Sequence, residues 1–128
     1  MAIHDSRLTA EDVLRRYQEE DLPAFCGSAL ENVNQRGSFG QYPLDVAASR
    51  GALDEVLALL EGGAEINAHG ERGNTALHEA VGQRHAEVVR VLLDRGASPT
   101  EKNDDGLLPI DIAKMYERSD LVELLQRE

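Results

Sequence analysis

Histidine side chains are the most obvious candidates for chemistry in this sequence, because three of them lie close together and could ligate a metal. His69, His78 and His85 are separated by nine and seven residues. Two zinc-binding histidines on one helix stand four residues apart, as in His-Glu-x-x-His, and His78-Glu79 lacks the second histidine at that distance. These spacings place no two imidazoles on one helical face, so the sequence predicts no metal site.

The remaining reactive groups also favour structural roles. Cys26 is the only cysteine, and it aligns with leucines that the repeat pattern buries, so a small apolar filler is favoured over a nucleophile. Gly62-Gly63 follows a helical stretch instead of opening one, unlike a phosphate-binding loop. Apolar surroundings single out no pair of carboxylates as an acid–base couple. We therefore predict a protein that is not an enzyme and needs no cofactor.

Length and charge narrow the class further. The 128 residues allow one domain, and the formal net charge of -11 argues against nucleic acid or an anionic membrane as the ligand. A single cysteine excludes an internal disulfide and suits a reducing compartment. The start Met1–Asp5 lacks a basic region followed by an apolar run, and no apolar run is long enough to span a membrane. We expect a cytoplasmic protein whose partner, if charged, is basic.

A hexapeptide that recurs at a fixed interval organises the chain. Thr75–Ala80 (Thr-Ala-Leu-His-Glu-Ala) has counterparts in Tyr42–Ala47 and Leu108–Ala113, so the three copies are evenly spaced. A glycine lies two residues before each copy. A fixed period of this length indicates stacked supersecondary units. Each unit reads as a short helix of small residues, a longer apolar helix, and a closing glycine.

The repeat divides the single domain of residues 1–128 into four units. We predict a degenerate capping unit at 5–36, two central units at 37–70 and 71–103, and a C-terminal capping unit at 104–128. In the first unit, Thr9 and Asp12 resemble a capping box at the start of a helix over Ala10–Glu19. A second apolar stripe, formed by Leu22, Phe25, Cys26 and Ala29, predicts a second helix there.

The motif Gly-x-Thr-x-Leu-His-x-Ala, followed by Leu-Leu-x-x-Gly-Ala, resembles the ankyrin repeat. The resemblance implies an all-α solenoid of helix-turn-helix units joined by β-hairpin-like loops, with a concave face of loop tips and inner helices. It also implies that His78 bridges neighbouring loops. Asp45 and Asp111 stand where the motif has this histidine, and their carboxylates could accept backbone amides at a helix start. Tyr42 and Leu108 replace the motif threonine, and the stretch from Gly82 to Arg84 lacks the usual mid-unit glycine.

The resemblance further implies which positions face a partner. Carried over onto this sequence, they are Tyr17, Phe39, Gln41, Arg50, Glu71, Arg72, Asn74, Gln83, Asp104, Asp105, Leu107, Met115 and Tyr116. Exposed aromatic and arginine side chains dominate interface energetics. We therefore predict a binding strip of Phe39, Arg50, Arg72 and Tyr116, with Tyr17 at its edge. The alternative is that Phe39 folds back onto a neighbouring hairpin and the two tyrosines pack against the caps.

These features favour a protein–protein interaction module that is monomeric when free and inhibits or neutralises a protein partner. Two uses remain open, an immunity protein against a basic toxin and an inhibitor of an enzyme or transcription factor. A structural or assembly subunit is the competing class. The second unit carries five acidic residues against one arginine and the fourth seven against three basic residues. A solvated acidic surface explains this charge, and electrostatic steering of a basic partner is the sharper interpretation.

Overall fold

The computed structural model describes residues 7–20, 22, 25 and 29–127 of the chain. Within them the α-helices are α1 (Ala10–Glu19), α2 (Pro43–Arg50), α3 (Leu53–Glu61), α4 (Ala76–Gly82), α5 (Ala86–Asp94), α6 (Pro109–Met115) and α7 (Ser119–Gln126). A short 3-10 turn, Glu71–Gly73, precedes α4. The described residues contain no β-strand, which agrees with the predicted all-α class.

The helices form two rows. The inner row consists of α2, α4 and α6, which pack side by side, and each of these helices also packs against the helix that follows it, α3, α5 or α7. These last three helices form the outer row. Leucines that fill the space between the rows are fully or almost fully buried, and they include Leu44, Leu59, Leu77, Leu92 and Leu121. A solenoid of helix-turn-helix units is confirmed.

Side chains at the helix starts explain where two of the helices begin. Thr9 Oγ1 accepts the amide of Asp12 at 3.1 Å, and Asp12 Oδ2 accepts the amide of Thr9 at 3.0 Å. This is the capping box expected from the sequence, and α1 begins at Ala10. Thr75 and His78 form the equivalent reciprocal pair before α4.

Aspartate replaces histidine at the same position of the other two inner helices. Asp45 Oδ2 accepts the amide of Tyr42 at 2.9 Å, and Asp111 Oδ2 accepts the amide of Leu108 at 2.8 Å. A carboxylate therefore satisfies a backbone amide that has no partner within its helix. The sequence-based expectation for both aspartates is confirmed.

The turn between the two helices of each unit keeps one conformation although its residue changes. Gly51, Arg84 and Glu117 occupy the same position of successive repeats and have φ values of 70°, 61° and 55°. In each turn this residue donates its amide to the carbonyl three positions earlier, and the next residue donates to the carbonyl five positions earlier. Packing of the flanking helices therefore imposes the left-handed conformation even where no glycine is present.

The loops between units are hairpin-like turns. Gly37 N donates to Gln41 O at 2.6 Å, and Gly70 N donates to Asn74 O at 2.8 Å. In the last loop Asn103 N donates to Leu107 O at 3.0 Å. These loops position the residues that the sequence assigns to the partner-binding face.

The first helix does not lie where the repeat register predicts. That register aligned α1 with the inner row, but α1 packs mainly against the outer helix α3. Gly62, at the end of α3, allows this approach, because a Cβ there would lie 2.3 Å from the Cβ of Ala10. The assignment of Tyr17 to a partner-facing position of the inner row is therefore wrong.

The end of the first unit nevertheless keeps the repeat register. Asn34 Oδ1 accepts the amide of Glu65 at 2.8 Å, and Asn67 Oδ1, at the equivalent position of the next unit, accepts the amide of Ser98 at 2.8 Å. The division into four units remains a prediction. Most of the second helix expected in the first unit, including Pro23 and Cys26, lies outside the described residues.

Helix length also bears on membrane insertion. Among the helices of the described ranges, none combines the length and apolarity that crossing a bilayer would require.

Candidate binding surface

The tips of the hairpin-like loops carry four of the predicted partner-binding residues. Phe39 is 56% exposed, and Arg72, Asp104 and Asp105 are exposed as well. Asp104 N donates to Arg72 O at 3.0 Å and so joins the second and third loops. The backbone of these tips is held in place while their side chains face solvent. Phe39 is therefore not buried in the free protein.

The residues that directly follow the turn glycines are less exposed than the loop tips. Gln41, Asn74 and Leu107 are half-buried. Gln41 Nε2 donates to Glu71 Oε1 at 3.2 Å, and Asn103 Nδ2 donates to Asn74 Oδ1 at 3.0 Å. These amides link adjacent loops, so only part of each side chain is available to a partner.

The C-terminal ends of the inner helices expose a mixed set of side chains. Met115 is 61% exposed and Tyr116 is 56% exposed, and Gln83 is exposed at the equivalent place on α4. The guanidinium of Arg118 lies over the Tyr116 ring, 5.1 Å from its centroid, so the ring contacts Arg118 and is still more than half exposed. Tyr116 thus contacts the last unit through Arg118 but is not buried there.

Arg50 is exposed but already paired. Its guanidinium donates two hydrogen bonds to Glu20, at 3.2 and 3.1 Å, and lies 5.4 Å from the centroid of the Tyr17 ring. The hydrogen bond to Glu20 is the main cause of its raised pKa. A partner that uses Arg50 would have to share this guanidinium with Glu20.

Tyr17 is a correction to the predicted surface. It is fully buried, its ring stacks on Phe25 with centroids 6.3 Å apart, and its hydroxyl donates to Glu55 Oε1 at 2.5 Å. Burial is the main cause of a strongly raised pKa of this phenol. Tyr17 belongs to the core because α1 packs on α3, so it cannot lie at the edge of a binding strip. The alternative in which Tyr17 packs against the cap describes the structure.

The motif histidine has a structural environment. His78 is buried, Nε2 donates to Leu107 O at 2.9 Å, and Nδ1 accepts the amide of Thr75 at 3.0 Å. A carbonyl oxygen only accepts, so the ring is neutral with its proton on Nε2. Burial is the main cause of the lowered pKa of His78. The imidazole joins two units, as the resemblance implies.

The other two described histidines are engaged in different contacts. His69 Nδ1 lies 2.7 Å from Gly73 O, and His69 Nε2 lies 2.7 Å from Glu101 Oε1. His85 Nε2 donates to Ser49 O at 3.0 Å. Within the part of the chain that the structure describes, no three His, Cys, Asp or Glu side chains converge as a metal site would require.

Sequence reasoning missed a small acidic cavity between the second and third units. Its volume is about 160 Å³, and Gln41, Asp45, Val46, Ser49, Arg50, Glu71 and Glu79 line it. The sequence places Gln41, Arg50 and Glu71 at partner-facing positions, but it gives no sign that Asp45 and Glu79 open onto the same space. These two acids lie on adjacent inner helices, with Glu79 one position further along its repeat than Asp45. Acidic residues at neighbouring repeat positions of adjacent inner helices were the feature of the sequence that could have predicted the cavity.

Comparison with known proteins identifies the repeat. A family model described as ankyrin repeats (3 copies) matches residues 17–103 and 44–128. Rabankyrin-5 of Mus musculus is 35% identical over 91 residues, which are 70% of this chain and 8% of that protein. SH3 and multiple ankyrin repeat domains protein 1 of Homo sapiens is 40% identical over 72 residues, which are 56% of this chain and 3% of that protein.

One similar protein carries the name of an enzyme. The L-asparaginase of Dirofilaria immitis is 40% identical over 79 residues, 62% of this chain and 13% of that protein. The chain thus corresponds to a small fraction of each of these relatives, and the similarity reaches only that fraction.

Proposed function

This chain belongs to the ankyrin-repeat family, whose repeats generally mediate protein–protein interaction, and on that premise we propose that it is a non-enzymatic binding module that inhibits or neutralises a protein partner. Binding uses the concave face formed by the loop tips and the inner helices. The protein acts in the cytoplasm and is monomeric when free.

The observation that carries the proposal is the exposure of large apolar side chains at positions that the scaffold does not need. Phe39, Met115 and Tyr116 are each more than half exposed. Other large apolar side chains of the described residues are buried or half-buried, so these three stand out. Leaving such side chains in water forgoes the free energy of burial that a partner would supply.

The identity of the partner's surface follows from charge. The chain has a net charge of -11, and acidic residues occur at two of the three loop tips or beside them, at Glu71, Asp104 and Asp105. A field of this sign accelerates association with a basic protein and repels acidic ones. The proposed partner is therefore a basic protein, and its association rate should fall as salt is added.

Affinity capture from a lysate of the source cells, with mass spectrometry, tests the proposal. The bait is the full chain, and the matched control is the double variant Phe39→Ala/Tyr116→Ala. We expect the wild-type chain to retain one basic protein that the double variant does not retain. Adding the wild-type chain to an assay of that protein's own activity should inhibit it.

Two results would contradict it. Recovery of the chain itself, confirmed by a dimer mass in sedimentation, would favour the structural or assembly class. Equal retention of the partner by the double variant would show that the concave face is not the binding surface.

A further inference from the structure

The cavity between α2 and α4 offers an unusual set of acceptors at the proposed binding face. Asp45, Glu71 and Glu79 contribute carboxylates to it. None of the three forms an ion pair with another described residue. The one cation in the lining, Arg50, has its guanidinium held by Glu20. Carboxyl groups therefore outnumber cationic groups in the lining of the cavity.

Burial makes this charge costly while the cavity is empty. Burial is the main cause of the raised pKa of Glu79, and nearby Glu71 raises it further. The pKa of Asp45 rises to about 7, again mainly because of burial. A carboxylate withdrawn from water is stabilised as an anion when a cation enters its site. A cation in the cavity would therefore stabilise the charged forms of Asp45 and Glu79.

An unpartnered acceptor in the same wall indicates a ligand that donates hydrogen bonds. Gln41 Nε2 donates to Glu71, but Gln41 Oε1 is buried and has no partner in the described part of the chain. Buried polar atoms without a partner are rare and costly. A donor placed between Gln41 and Glu79 would satisfy this oxygen.

The size of the cavity selects among cations. Among the described residues no group of three His, Cys, Asp or Glu side chains could hold a metal ion, so these carboxylates do not form a metal site. A volume of about 160 Å³ instead suits the end of an organic side chain, since a cavity of roughly 150 Å³ accepts a group as large as benzene. A guanidinium or an ammonium on its methylene stem fits this space.

We infer that the cavity between α2 and α4 receives an arginine or lysine side chain of the protein partner and anchors it on the concave face. The inference rests on the proposed function and adds the chemistry of the partner. Met115 and Tyr116 continue the same row of inner helices on α6, so the partner segment presents a cationic side chain to the cavity and an apolar side chain to α6.

A small cationic probe tests the site without the partner. The full chain, labelled with ¹⁵N, is titrated with N-acetyl-arginine methylamide, and the control ligand is the citrulline analogue, which has the same shape and no charge. A fragment of this size binds with a millimolar dissociation constant at best. We expect saturable amide shifts confined to the cavity lining, at Gln41, Glu71 and Glu79, with arginine only.

Matched variants tie the shifts to the carboxylates. Glu79→Gln and, independently, Glu71→Gln should each weaken binding of the arginine probe by at least about fivefold, because a hydrogen bond to a charged group is lost. Glu87→Gln makes the same chemical change on the exposed face of α5 and should bind like the wild type. Each variant is first shown to retain the native spectrum. Two variants are used so that the test still stands if one of them does not fold.

The results that would overturn the inference are distinct from failure of the proposed function. Absent shifts, equal shifts with citrulline, or unchanged binding by both glutamine variants would exclude a cation site. If a captured partner still depended on Phe39 and Tyr116 under those conditions, binding through the concave face would stand and only the anchoring side chain would be wrong.

Discussion

His78 and Leu107 are joined across two units by a hydrogen bond of 2.9 Å from His78 Nε2 to the carbonyl of Leu107. The same ring accepts the amide of Thr75 and so caps its own helix. One neutral imidazole thus performs a local and a long-range task. The aspartates at 45 and 111 perform the local one, as the amides that they accept show.

Substitution of His78 should separate these two tasks. His78→Ala leaves a buried amide and a carbonyl without their partner, so we expect the free energy of unfolding to fall by about 2–4 kcal/mol. His78→Asp restores the cap, as at the equivalent positions, but cannot reach Leu107 as a donor. Its loss should be about half as large, measured by urea denaturation with unchanged m-value. Equal losses would show that capping of the Thr75 amide contributes nothing, whereas no loss in His78→Asp would show the same for the bridge to Leu107.

The pKa values of two histidines should be displaced in opposite directions from the ordinary value of this side chain. Glu101 is the main cause of the raised pKa of His69, and the carbonyl of Gly73 adds to it, whereas burial lowers the pKa of His78. NMR titration of the imidazole protons should therefore place His69 above 6.5 and His78 below it. Glu101→Gln should lower the pKa of His69, and Glu87→Gln should leave it in place.

These pKa shifts carry opposite consequences for stability. The fold favours the charged form of His69, so its contribution is complete below pH 6.5 and is lost as pH rises through the higher folded pKa. The fold favours the neutral form of His78, so its contribution is complete above pH 6.5 and is lost as pH falls through the lower folded pKa. The difference in free energy of unfolding between wild type and His69→Gln, measured from pH 5 to pH 9, should be largest at low pH and shrink as pH rises through the folded pKa of His69.

The buried tyrosine of α1 should be sensitive to loss of a single oxygen atom. Tyr17→Phe removes the donor to Glu55, a carboxylate that is only 2% exposed. Arg16 still pairs with Glu55 at 2.7 Å, so we expect a loss of about 1–3 kcal/mol in the free energy of unfolding. Tyr116→Phe makes the identical change at an exposed site and should cost less than about 0.5 kcal/mol. Similar losses in both would place Tyr17 outside the core.

The mid-unit turns should respond to glycine in a position-dependent way. Arg84 has φ of 61°, and an L-residue in this conformation costs about 1–2 kcal/mol, so Arg84→Gly should stabilise the protein by about 0.5–1 kcal/mol after the entropy of glycine is subtracted. Gly51→Ala should cost about 2 kcal/mol or more, since its Cβ would also lie 2.5 Å from His85 Nδ1. Thermal unfolding reports both changes.

A control for this prediction lies in the neighbouring helix. Arg90 is exposed within α5, and Arg90→Gly should destabilise by about 1 kcal/mol because glycine disfavours a helix. Destabilisation by Arg84→Gly of similar size would mean that the left-handed turn carries no strain.

The sequence predicts the repeated parts of this fold and misses what is not repeated. The repeat period predicts the inner and outer helices from the second unit onward and the capping carboxylates of Asp45 and Asp111, because those depend on local spacing. It fails for α1, since Tyr17 and Ala10 follow the pattern of an inner helix yet pack against α3 through a close approach at Gly62. That contact depends on three-dimensional packing between units, which periodicity does not record.

The candidate site shows the same division. Exposure of Phe39 and Tyr116 follows from the register, because the register tells which side chains the scaffold leaves outside. The acidic cavity does not, since it depends on how far apart the loop of Gln41 and the helix of Glu79 come to rest. Pairing of Arg50 with Glu20 is missed for the same reason.

The exposed aromatic positions should be dispensable for folding. Phe39 is 56% exposed, so Phe39→Ala should change the free energy of unfolding by no more than about 0.5 kcal/mol, and Tyr116→Ala should do the same. Phe25→Ala is the matched control, because Phe25 is buried and stacked on Tyr17, and it should cost about 3–5 kcal/mol. A large loss at Phe39 or Tyr116 would assign that ring to the core. If loss of these side chains leaves folding unchanged but abolishes capture of a partner, their role is in binding, because they are not buried in the free protein.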